Sequence, residues 1–123
     1  MASELRVNTL KDAAGSNSVA MEYVAGGSAK AWLATTGAGT PSINGSLNTS
    51  SITDNGVGDL TMTFSSSMSS AGFGGGACPI TGAFAALIQD LANTTSTNRT
   101  KIHSDSAGGA DGDRRITIDG DLA

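Results

Sequence analysis

The chain has 123 residues, room for one compact domain, and it carries 17 glycines, 16 serines and 14 threonines against only 4% aromatics. So thin an apolar content suits a strand framework, which needs one apolar residue in two, and favours burial of further area between copies of the chain. The net charge of −4 with scattered basic residues excludes the clustered positive field that phosphate binding requires, so nucleic acid is not an expected partner.

In chain order, residues 4–10 alternate, with Leu5, Val7 and Thr9 on one side and Arg6 and Asn8 on the other, the pattern of a half-buried strand. DAAGSNS follows as a turn. Val19, Met21 and Tyr23 at period two predict a second strand over 19–24, closed by a hinge at Gly26 and Gly27. Over 29–35 either Trp32 or Leu33 must face the core, and the single Trp is taken as the anchor. A break at 37–41 precedes a stretch, 43–53, whose only large apolar residues are Ile43, Leu47 and Ile52. Asp54-Asn55-Gly56 has the residue types of a tight turn, and Leu60, Met62 and Phe64 then alternate with Thr61, Thr63 and Ser65, so SSITDNGVGDLTMTF reads as a β-hairpin.

Residues 65–76 are Ser- and Gly-rich and are expected to be irregular. Residues 83–92, AFAALIQDLA, have helical spacing but too little length, and context favours a strand. The last strands are placed at 99–104 and 114–119, with DSAGGADGD between them as a turn. Short strands at about ten-residue spacing predict an all-β fold, an antiparallel β-sandwich over 28–123 with a short N-terminal β stem and Gly hinge over 1–27. Its core would comprise Trp32, Leu60, Met62, Phe64, Ile116 and Ile118.

No motif supports catalysis. Cys78 and His103 sit in no nucleophile frame, and there is no G-x-S-x-G. Cys78 reads as a small buried hydrophobe and His103 as a surface residue. One cysteine excludes an intrachain disulfide and suits a reducing cytoplasm, while Glu4, Arg6 and Lys11 interrupt any secretory leader. Paired carboxylates for glycoside cleavage are missing as well: Glu4 and Glu22 are the only glutamates and both lie in the stem. FGGGA lacks the Lys-Ser or Lys-Thr of a phosphate loop. The uncharged run 71–88 is too rich in glycine for membrane insertion and is expected to be a loop leading into a buried strand or short helix. Four N-x-S/T sequons begin at Asn44, Asn48, Asn93 and Asn98, as chance would produce in so Ser- and Thr-rich a chain. GGADGD resembles half of a calcium-binding β-roll repeat. Asp105, Asp111 and Asp113 would line a cation site only where related chains meet, and a solvated turn is the other reading. No cofactor is expected.

The segments AKAW at 29–32, the Gly-Thr turn at 37–40, 46–48, SSITDNGVGD at 50–59 and the alternating strand ending at Met68 together resemble a domain found in tail fibres of marine and other tailed bacteriophages. SELRVNTLKDAAGSNS is similar to the strand-and-turn segment that often precedes such domains. The resemblance covers about residues 3 to 70 and implies a virion protein, a homotrimer, and a knob that meets a host-surface glycan or protein. It also implies that Leu5, Val7 and Leu10 make the contacts between copies or with other virion proteins of the capsid or tail. The segment after Met68 departs from the family pattern, which carries aromatic residues there, so no receptor site is carried over. The chain is short for a fibre, which makes a head fibre or a capsid decoration protein stabilising the shell an alternative to a tail fibre.

Overall fold

A computed structural model describes residues 3–37, 39–80, 87–103 and 109–123, with the backbone alone over 87–90. The expected all-β sandwich is what the chain forms. Sheet I has the order β4 (Ile43–Leu47), β3 (Ala29–Thr35), β10 (Arg114–Asp119) and β7 (Gly74–Pro79). Sheet II has the order β5 (Thr49–Gly56), β6 (Asp59–Phe64), β9 (Thr97–His103) and β8 (Leu87–Thr94). Every pairing in both sheets is antiparallel.

Period-two alternation fills the space between the sheets. Ala31 and Leu33 from β3, Ile116 and Ile118 from β10, and Leu60, Met62 and Phe64 from β6 are buried together with Met68. Burial of each Leu, Ile, Met or Phe contributes about 1.5–3 kcal/mol. Ile102 on β9 is buried as well. Phe64 meets Phe73 edge-on, with ring centroids 5.6 Å apart at 76°.

The chain passes from sheet I to sheet II at Asn48, whose φ of 52° is the one positive value among the described non-glycine residues. Its amide locks this corner. Nδ2 donates to the Ser66 carbonyl at 3.0 Å, and Oδ1 accepts from Ser66 N at 2.6 Å. Asn tolerates the left-handed conformation better than any β-branched residue would.

Several expectations need correction. Trp32 does not enter the core: Leu33 is 1% exposed and Trp32 41% exposed, because Ala31, Leu33 and Thr35 occupy the inner row. The β5–β6 hairpin forms as expected, but the reversal lies at Val57-Gly58, with Gly56 paired to Asp59 and a bulge at Asn55. Asp54-Asn55-Gly56 closes the strand instead of making the turn. Of residues 65–76, the last three are regular, as β7 begins at Gly74 and pairs with β10. Flanking Ala77, Cys78 and Pro79 supply the rest of that strand, and the glycines allow it to lie against Thr117 and Ile118.

Strand formation at β8 agrees with the reading of 83–92 from Leu87 onward, and residues 83–86 lie outside the described residues. β9 ends at His103, and Ser104 lies outside them too.

The N-terminal stem is shorter in strand than its pattern suggests. β1 (Thr9–Lys11) and β2 (Ser18–Ala20) form a hairpin, and residues 3–7 join no strand. Residues 21–24, read as strand, begin the helix α1 (Met21–Gly27). No strand among the described residues pairs with 21–24 to stabilise an extended form, Tyr23 is exposed, and Met21, Glu22 and Ala25 are good helix formers.

Candidate functional site

The register of β7 on β10 sets Gly75 beside Ile118 and Ala77 beside Ile116, so β7 offers small residues to the inner face. Across the gap, β9 presents Asn98 and Thr100, each 3% exposed. The result is an open-sided cleft of about 300 Å³ with an apolar wall of Phe73, Ile116 and Ile118 and an amide and hydroxyl wall of Asn93, Asn98 and Thr100. Asn98 Nδ2 donates to Asn93 Oδ1 at 2.8 Å and fixes the polar wall. β7 is the last strand of sheet I, so its outer edge has no strand beside it among the described residues.

The outer faces of the two sheets differ in kind. On sheet II, outward polar groups among the described residues bind one another: Arg99 Nε and Nη2 donate to Asp59 Oδ1 and Oδ2 at 2.9 and 2.7 Å, and Asn55 Nδ2 donates to Thr61 Oγ1 at 2.8 Å. The Arg99 guanidinium holds the Asp59 carboxyl below the usual carboxylate range. Sheet I instead exposes Trp32 opposite Leu47, itself 49% exposed. The indole lies over Gly45, where a Cβ would come within 3.2 Å of the ring.

Among the described residues, the two most exposed large apolar side chains lie in the stem. Leu5 is 81% and Tyr23 69% exposed, and Leu10 and Val19 are exposed beside them. Of the three proposed contact residues, Leu5 and Leu10 are exposed and Val7 is half-buried, and no sandwich strand among the described residues pairs with them. All described hydrogen bonds of residues 3–21 stay within the stem, including Arg6 Nε to Glu4 Oε1 at 2.9 Å and Met21 N to the Asn8 carbonyl at 2.9 Å.

At one end of the sandwich, loops converge on Gly58. Asp111 Oδ1 accepts from Gly58 N at 2.8 Å, and Asp113 Oδ1 accepts from Gly37 N at 3.0 Å. The two carboxylates therefore hold different loops, and Asp105 lies outside the described residues. No group of three His, Cys, Asp or Glu side chains suited to a metal ion occurs among the described residues. Arg114 is buried behind these loops, and Nη2 donates to the Gly58 carbonyl at 2.8 Å. Burial lowers its pKa, and Asp59, Asp111 and Asp54 oppose that shift.

Cys78 is exposed, not buried, because the β7–β10 register puts it on the outer row with Arg115. His103 is half-buried and bridges Gly109 through the backbone. The cleft beside β7 was missed in the sequence because a glycine run signals looseness. Its only hint was Ala77 and Pro79 continuing the period of Gly75. No described helix is long and apolar enough to cross a membrane. Comparisons with family models, with curated proteins and with solved structures return no match to this chain.

Proposed function

We propose that the chain is a structural module of a tailed-bacteriophage virion, a tail- or head-fibre unit that assembles as a homotrimer and presents its sandwich to the host surface. The observation that carries this is the stem: its exposed Leu5, Leu10, Val19 and Tyr23 make a surface suited to contacts beyond the chain. The resemblance of 29–32 and 50–59 to phage fibre domains supports the same assignment, as does an all-β sandwich with Trp32 and Leu47 on one outer face. The module acts by binding and assembly, and its role involves no catalysis and no cofactor.

Electron microscopy of particles labelled with antibody against the chain tests the role. Label in a few or tens of copies at a tail or at head fibres is expected. A uniform decoration of hundreds of copies over the shell would favour a capsid cement protein, and unlabelled particles would contradict a virion role.

A further inference from the structure

We infer that residues 4–7 of one copy add as an antiparallel strand to the free edge of β7 in a second copy, with Leu5 and Val7 entering the cleft between the sheets. The inference rests on association of copies through the stem and identifies where the stem sits. Residues 3–7 have the period-two pattern of a strand, yet among the described residues no strand pairs with them. Among the described residues β7 is an edge strand with a hydrogen-bonding side unused by its sheet, which is the requirement for strand addition. Each half lacks what the other supplies.

The side chains fit in one sense of pairing. With Leu5 opposite Ala77 and Val7 opposite Gly75, two branched apolar groups enter the cleft of about 300 Å³ at the positions where β7 itself has small inner residues. On the outer face Glu4 then falls in the row of Cys78 and Arg115, and Arg6 in the row of Gly76 and Thr117, diagonal to Asp119. Gly74 and Gly76 put no side chain between Arg6 and Asp119, so Arg6 reaches towards Asp119, while Glu4 shares the row of Arg115 with Cys78 between them. Parallel addition would instead set Glu4 beside Asp119, and like charges oppose it. In the free stem Glu4 and Arg6 bind each other, with side chains 68% and 85% exposed, so exchanging that pair costs little.

Disulfide trapping in the full chain tests the register. Residues directly opposite in an antiparallel pair have Cα atoms about 4.5–5.5 Å apart, within disulfide reach. With oxidised glutathione as the electron acceptor, Glu4→Cys should link to Cys78 of another copy and give a ladder ending at three chains on a non-reducing gel. Val7→Cys, of opposite parity, should not link, nor should Glu4→Cys combined with Cys78→Ser. A Glu4→Cys chain that is trimeric by light scattering yet unlinked overturns the inference and leaves the trimer standing. Linkage within one chain overturns exchange between copies, and a monomer without linkage overturns both. As a second measure, Leu5→Ser, at a side chain free of the sandwich, should dissociate the assembly at least tenfold more readily without lowering the melting temperature of the separated chain.

Discussion

Arg114 Nη2 donates to the Gly58 carbonyl at 2.8 Å, and Arg114 Nη1 reaches the Thr100 carbonyl at 3.2 Å, so one buried guanidinium ties the β5–β6 turn to β9 and β10. Ile102 N also donates to Gly58 O at 3.0 Å. Nε has no partner among the described residues. Arg114→Ala would leave the carbonyls of Gly58 and Thr100 short of a donor and open a cavity, a loss of about 3 kcal/mol. Arg114→Lys, without the planar fork, should recover only part of it. Urea denaturation of the three proteins checks this order.

Gly58 itself is fixed by geometry. Its φ is +70°, and a Cβ would stand 2.7 Å from the carbonyl oxygens of both Ala110 and Ile102. Gly58→Ala should therefore destabilise by more than the ~1 kcal/mol typical of positive φ alone, with the loops bearing Asp111 losing amide protection in hydrogen exchange.

The placement of Trp32 predicts a contrast with its neighbour. Trp32→Ala, at an outward residue 41% exposed, should cost under about 1 kcal/mol in a monomeric reference state. Leu33→Ala, at an inner residue 1% exposed, should cost about 2–5 kcal/mol. A reversed order, with Trp32→Ala the costlier, would mean that the strand sits one residue out of the register described.

The Asp59–Arg99 pair gives a sign for acid sensitivity. Asp59 has a folded pKa below its unfolded one, so its contribution is present above about pH 4 and is lost as pH falls through the lower folded value. Asp59→Asn should lower stability at pH 7 and flatten the decline below pH 4, measured as melting temperature against pH. An unchanged acid slope would remove this pair from the explanation.

Much of the sandwich was legible where alternation is strict. Leu60, Met62, Phe64, Ile116 and Ile118 state their face by period alone, and all five are buried. Trp32 was misplaced because alternation gives two faces without saying which is inside, and Leu33 and Ala31 fit the narrow gap between sheets that an indole would overfill. Met68 and Ile102, buried but not read as core from the sequence, lie in a serine-rich run and beside basic residues. The stem pattern at Leu5 and Val7 did read as a strand, but a strand needs a neighbour, and none is supplied by residues nearby in sequence. The β7 cleft depends on pairing between residues about 40 apart, which no local pattern encodes.

The mass of the full chain in solution tests a virion-type assembly most directly. Light scattering or native mass spectrometry at micromolar concentration should return three copies, falling to one on combined substitution of Leu5, Val7 and Leu10 by Ser. A wild-type chain that stays monomeric throughout that range would contradict the assembly on which the proposed function depends.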